Sequence, residues 1–304
     1  MKPDRPSGEE LSLHVVVLGE VLWDIFPHAM RLGGAPLNFG VHARRLGHPV
    51  CLLSAVGSDD PGRKALEQIA ALQLDTRFLQ TSSALPTGTA SVELIGERAT
   101  FKIHRPAAYD AIGLAEGDIA QLRAGMPAWL YYGTLFAATP QGRAVLERLL
   151  DALATTVRFY DLNLRPGFDS PDLVNALLER ANVVKLNEEE LERVHGFTGL
   201  PSSLEAFCRE GVRRYGWHAV AVTRGSRGCA LLAHGQYIEA EGFAIDAVDP
   251  VGAGDAFGAA FMHGLSSKWP ASEIAAFANR VGALVASRDG AIPDWTMDEL
   301  VQLS

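Results

Sequence analysis

Six short, β-rich apolar runs, HVVVLG (14–19), PVCLLSAVG (49–57), AWLYYG (128–133), VRFYDLN (157–163), NVVKLN (182–187) and HAVAVT (218–223), alternate along the chain with longer stretches of helical pattern. Strands that alternate with helices pair in parallel through crossovers, so this rhythm predicts βαβ units around a mostly parallel central sheet flanked by helices. Three helices announce their starts with a cap residue followed by proline, at Asp60-Pro61, Thr139-Pro140 and Ser170-Pro171. A proline there sacrifices no hydrogen bond, because the first N–H of a helix has no partner inside it.

Two segments break the rhythm. TASVELIGERATFKIHR (89–105) is a pair of period-2 runs joined near Gly96-Glu97, an antiparallel hairpin, and EVLWDIFPHAMRL (20–32) lacks a helical stripe. Together they predict a small second sheet. No linker or repeat divides the 304 residues, so the expectation is one domain over 1–304 with a β lid formed by about 20–35 and 88–106. Lys+Arg 27 against Asp+Glu 36 gives a net charge of −9, which disfavours a nucleic-acid partner. The three cysteines, Cys51, Cys208 and Cys229, show no disulfide or zinc spacing, and no signal peptide or membrane span is evident. The expected place is the cytoplasm.

Two stretches invite a phosphate reading. GSDDPGRK (57–64) imitates a Walker A loop, but Arg63 stands where lysine is needed and Lys64 where a hydroxyl residue is needed; a turn into a helix fits better. GAGDAFG spaces its glycines wrongly for a dinucleotide fingerprint. What remains is Gly252-Ala253-Gly254-Asp255 opening an apolar helix. N–H groups free at a helix start make an anion site that glycines let an oxyanion approach. Asp255 is then either a first-turn acid stabilised by the helix dipole or a general base beside a phosphoryl site.

This stretch, Asp249-Pro250-Val251-Gly252-Ala253-Gly254-Asp255, resembles the late signature D-T-x-G-A-G-D of the ribokinase-like, PfkB-type sugar kinases. The early signature is matched by Gly33-Gly34-Ala35-Pro36-Leu37-Asn38 and a helix ending in RRLG (44–47). ANVVKLNEEEL (181–191) is similar to the family's K-x-N-x-x-E segment, and VTRGSRG (222–228) to its T-x-G-x-x-G loop. The resemblance spans essentially the whole chain. GEVLWD (19–24), GGAPLN and DLNLRP (161–166) look most like bacterial fructokinases.

The resemblance implies a ribokinase-like α/β fold and phosphoryl transfer from ATP to a sugar, D-fructose at O6 first, with ribose or 2-keto-3-deoxygluconate as alternatives. A non-catalytic sugar sensor on the same fold is the reading from another class. Asp255 would be the base and Gly252, Ala253 and Gly254 the anion hole. Asp24, Gly33, Gly34, Asn38, Arg105, Asp161, Asn163 and Arg165 would face the sugar. Lys185, Asn187, Thr223, Gly225 and Gly228 would face the nucleotide, with the helix 271–288 closing over adenine.

Asn187 and Glu190 would hold Mg²⁺ through water, although the same pair reads equally as a capping box. Carbonyls around Asp249, Val251, Ser287 and Gly290 would hold K⁺. Pro250 departs from the family's threonine and removes a hydroxyl and an N–H. Edges of the lid sheet could pair across a homodimer.

Overall fold

The computed structural model describes residues 14–95 and 98–303. The N-terminal segment 1–13 and the hairpin turn at Gly96-Glu97 lie outside them. The strands, in chain order, are β1 (Val15–Leu18), β2 (Leu22–Phe26), β3 (Ala29–Gly33), β4 (Val50–Gly57), β5 (Leu79–Ser82), β6 (Gly88–Ile95), β7 (Arg98–His104), β8 (Trp129–Gly133), β9 (Val157–Asp161), β10 (Val183–Asn187), β11 (Ala219–Thr223), β12 (Cys229–Ala233) and β13 (Gln236–Ala240). Among the described residues they form a nine-stranded sheet in the order β13-β12-β11-β10-β9-β8-β1-β4-β5 and a four-stranded sheet in the order β3-β2-β6-β7. The large sheet is parallel from β11 to β5, and β12 and β13 extend it antiparallel.

All six expected strands are present. Most read as continuous apolar runs because the sheet is covered on both faces, which leaves no side for a polar alternation; β9 and β10 are interrupted by Arg158 and Lys185. In β1, Val15 and Val17 pack toward the helices Ala35–Arg45, Ala253–Ser266 and Ala271–Ala286. Val16 and Leu18 pack toward Pro140–Ala152 and Pro171–Arg180 on the opposite face.

Thr139 and Ser170 cap their helices as expected, accepting from Gly142 N at 3.0 Å and Leu173 N at 3.3 Å. The third cap moves by one residue: Asp59, not Asp60, accepts from Gly62 N at 2.9 Å. Asp60 is instead the first helical residue, ion-paired with Lys64 at 2.9 Å. Asp59 also accepts from Thr87 N at 2.9 Å, so the GSDD turn is fixed against the start of β6.

The small sheet forms as expected, β2 joining β6 in parallel while β3 and β7 flank them. In the large sheet the chain runs outward from β1 to β4 and β5, then returns to β8 on the other side. Such a reversal of strand order opens a crevice beyond the carboxyl ends of the strands.

Candidate active site

Two cavities meet in that crevice, and the start of the helix Ala253–Ser266 divides them. The larger, about 620 Å³, is walled by Gly225 and Gly228 beyond β11, by Phe243, Ala244 and Ile245 of an irregular stretch, and by Gly282, Ala283 and Ala286. The smaller, about 220 Å³, holds Glu20, Asp24, Asn38, Arg165, Lys185 and Asp255. Asn187, Thr223, Pro250 and Gly254 line both.

Gly252 caps this helix in the left-handed region, at φ 83°, and a Cβ there would lie 2.4 Å from Ala291 O. Only glycine satisfies both conditions. Ala291 is itself held in place: Trp295 Nε1 donates to His42 Nδ1 at 3.1 Å, which leaves His42 Nε2 to donate to Ala291 O at 2.9 Å. Burial lowers the His42 pKa to about 4, in keeping with this neutral, fixed tautomer. Ala253 N turns back to Pro250 O at 3.3 Å. The next N–H groups, of Gly254 and Asp255, have no carbonyl within the helix to bond.

Asp255 sits in the first turn, buried, and accepts from Asn38 Nδ2 at 2.8 Å. Burial raises its pKa to about 6, against the pull of Lys185. Lys185 is buried beside Asp161, with Nζ to carboxylate distances of 3.1 and 3.2 Å. Burial alone would lower its pKa, but Asp161, Glu190 and Asp255 outweigh that and keep the ammonium charged. A Cβ on Gly254 would come within 3.2 Å of that ammonium, so the cation lies against the helix start. Burial likewise raises Asp24 to about 7.

The Gly33-Gly34 turn has a steric reason. Gly34, at φ 110°, passes over Glu20, where a Cβ would meet the Glu20 carbonyl oxygen at 2.4 Å, and Gly33 would meet Asp24 Oδ2 at 2.6 Å. The double glycine therefore lets two acids pack under one turn.

Several expected residues fall elsewhere. Lys185 lines the smaller cavity rather than the larger one. Asp161 does not line the smaller cavity; it is fully buried, bonded to Lys185 and to Tyr131 Oη at 3.2 Å. Arg105 is also outside the lining: its guanidinium pairs with Asp110, donates to Leu135 O at 3.0 Å and stacks on Phe168. Both side chains point into the fold, an alternative that a charged residue at a strand end always has.

Glu190 and Asn187 form the capping box, Glu190 N to Asn187 Oδ1 at 2.8 Å and Asn187 N to Glu190 Oε2 at 2.9 Å. The second Glu190 oxygen accepts from Leu164 N at 2.7 Å. Both Glu190 oxygens thus accept from backbone, and of the pair only Asn187 lines the cavities. The helix expected over 271–288 is Ala271–Ala286, and Ser287 caps its end by donating to Leu284 O at 2.8 Å.

Asp249 accepts from Val251 N at 3.0 Å and Gly290 N at 3.2 Å, so these three expected residues are gathered together. Its carboxylate is also paired with Arg31 of β3 at 2.8 Å. Arg31 continues to Asp289 at 2.7 Å, a bridge from the small sheet to the helix start that the sequence did not suggest.

Sequence reasoning missed Glu20 as a site residue, together with Leu22, Ile103 and Leu135 around the smaller cavity and Phe243 to Ile245 around the larger. GFAIDAV has neither helical nor strand period, so its wall carried no pattern to find. Among the described residues no group of three His, Cys, Asp or Glu side chains is placed to hold a metal, and no helix is long and apolar enough to cross a membrane.

A profile described as pfkB family carbohydrate kinase matches residues 26–297. The fructokinase of Escherichia coli is 30% identical over 302 residues, covering 93% of this chain and 96% of that protein. Among solved structures, the fructokinase with bound ATP from Xylella fastidiosa superposes with a TM-score of 0.83 at 23% identity, covering 96% of this chain and 98% of that one. The Vibrio cholerae O395 fructokinase in its fructose, ADP and calcium ion bound form gives 0.80 at 24% identity, covering 97% and 99%.

Proposed function

The chain belongs to the pfkB family of carbohydrate kinases, with the ribokinase-like fold, and from that premise we propose that it transfers the γ-phosphoryl group of ATP to O6 of D-fructose. The fructokinases of similar sequence support the choice of sugar, and ATP and fructose in the two solved relatives support the pairing of donor and acceptor. The observation that carries the reading is the position of Asp255. It stands at the head of a helix, between a larger apolar cavity suited to a nucleotide and a smaller polar one suited to a sugar.

In this reading Asp255 accepts the proton of the attacking hydroxyl, held in line by Asn38. Its pKa near 6 makes it a carboxylate at neutral pH, yet basic enough to share a proton in the transition state. The Gly254 and Asp255 N–H groups and the Lys185 ammonium face the charge that builds on the transferring phosphoryl group, so no reorganisation is needed when it forms. Gly252 and Ala253 shape the turn. Asp24, Asn163 and Arg165 line the acceptor cavity, and Asn187, Thr223, Gly225 and Gly228 the nucleotide side.

The donor set fits Mg²⁺ carried on the nucleotide phosphates, because Mg²⁺ keeps several waters and needs few protein ligands; Asn187, at the junction, is the residue placed to meet that water shell. A bound Mg²⁺ would supply charge neutralisation on the phosphates. A monovalent cation would lie among the backbone carbonyls near Asp249 and Gly290, since Arg31 already compensates the Asp249 carboxylate. The small sheet is the lid of a single 1–304 unit. Exposed Ile25 and Met30 make its surface the place for a homodimer contact, which a monomer by light scattering would dismiss.

ADP release with Mg·ATP over fructose, ribose, glucose and 2-keto-3-deoxygluconate tests the reading. Fructose-dependent turnover supports it. Turnover with another sugar alone removes fructose and keeps the kinase, and sugar binding without turnover for any acceptor leaves a sensor.

A further inference from the structure

Glu20 follows β1 in the crevice, 7% exposed, on the wall of the smaller cavity. Its Oε2 has no hydrogen-bond partner among the described residues. Asn38, in the same wall and 4% exposed, gives its Nδ2 to Asp255 and leaves Oδ1 equally without one. Buried polar atoms of this kind are rare in folded proteins, because each forfeits hydration without compensation. Two of them on one small cavity define what should enter it: a ligand that brings donors.

The charges around Glu20 narrow the ligand further. Asp24, Asp255 and Arg165 line the same cavity. Arg105 and Tyr109 act on it from behind the lining. Lys185 is paired with Asp161, and Arg165 is the one cation among the described residues whose field reaches Glu20, Asp24, Asp161 and Asp255 alike, with burial outweighing it at each. An anionic acceptor would add a carboxylate to this crowd and bring fewer hydroxyl donors to the two waiting oxygens. We infer that Glu20 is a specificity residue of the acceptor pocket, hydrogen-bonded by a hydroxyl of an uncharged sugar and set against sugar acids. The inference rests on the kinase reading for its acceptor. Burial raises the Glu20 pKa to about 7, as a desolvated carboxyl facing Asp255 requires.

A hydroxyl lost from such a contact leaves the buried oxygen unpaired again, which is how a site of this type discriminates strongly. The expected result is that Glu20→Ala raises the KM for fructose, or for whichever neutral sugar is used, about tenfold or more, while the KM for ATP stays unchanged and the melting temperature is no lower. A purely structural role would move the melting temperature and both KM values together. At pH 8, where Glu20 with its pKa of about 7 is ionised, Glu20→Gln, which keeps one acceptor without the charge, should recover part of the affinity and narrow the wild-type preference for fructose over 2-keto-3-deoxygluconate.

An unchanged acceptor KM in Glu20→Ala, or a wild-type preference for the sugar acid, overturns the assignment. Calorimetric titration of fructose and ribose into the same three proteins separates this inference from the kinase reading. Heat of neutral-sugar binding that is lost in Glu20→Ala upholds Glu20 even where no ADP is released, and absence of heat for every sugar overturns it. If Glu20→Ala does not fold, Glu20→Gln decides on the same two readouts.

Discussion

The larger cavity is walled by backbone and small side chains, Gly225, Gly228, Gly282, Ala283 and Ala286, with Phe243 and Ile245 as its bulk. The smaller gathers three carboxyl groups, a guanidinium and an ammonium within about a third of that volume. One wall selects by shape and dispersion, which a ligand meets all at once; the other selects by pairing, which fails one bond at a time. Substitutions in the two should therefore separate cleanly, one moving the nucleotide KM and the other the acceptor KM.

The largest effect is expected at Asp255, where the walls meet. Asp255→Asn should lower kcat by about 10² or more with both substrates still bound; a loss below tenfold would mean that the acid is no more than a first-turn residue. Next, Ala283→Phe should fill part of the apolar slot and raise the KM for ATP about tenfold, roughly 1.4 kcal/mol, leaving the acceptor KM alone. Equal changes in both would show that the cavities are one.

The polar wall should also answer to pH. Turnover should rise as pH passes about 6 and Asp255 loses its proton. Stability carries two opposed slopes. Asp24 and Glu20, raised to about 7, bind more protons folded than unfolded, so their contribution falls as pH climbs from about 4 to 7. His42 and His48, lowered to about 4 chiefly by burial, bind fewer, so theirs is lost as pH falls from 6.5 toward 4. Asp24→Asn removes a falling slope, and melting curves at pH 5 and 7 should show the variant gaining more on the alkaline side than wild type.

The smallest effect is assigned to Arg31→Met, which cuts the bridge to Asp249 and Asp289 outside both walls. A pair with Arg31 a third exposed is worth about 1 kcal/mol or less, so kcat/KM should fall two- to threefold, and less at 0.5 M salt than at low salt.

The sequence announced the sheet clearly because buried parallel strands leave largely apolar runs, whereas Asp255 read equally as a first-turn acid until the D-P-V-G-A-G-D stretch was set beside the family signature it resembles. β12 and β13 were not foreseen: CALLA is short and lacks β-branched residues, and QYIEA is half exposed. Asp59 and Asp60 are equally able to cap, and the chain chose by the geometry of Thr87, 28 residues away. Glu20 stood in GEVLWD as a mark of resemblance, with no role at the site attached to it. Its meaning lies in an oxygen without a partner, which exists only once the cavity does. Asp161 and Arg105 are the converse: neither lines the smaller cavity, since direction at a strand end is settled by neighbours such as Lys185 and Asp110, far along the chain or across a turn.

The relay from Trp295 through His42 to Ala291 makes the helix start optically legible. Indole emission responds to the partner of its N–H and to nearby protonation. Trp295, 7% exposed, is bonded to the ring that fixes the residue beneath Gly252. A proton added at His42 Nδ1 would take away the acceptor of the indole, and any shift of Ala291 under an arriving phosphate would tug the same ring. With the other four tryptophans, Trp23, Trp129, Trp217 and Trp269, changed to phenylalanine, the remaining fluorophore would report any ligand that shifts the start of the helix Ala253–Ser266, without a label and without turnover.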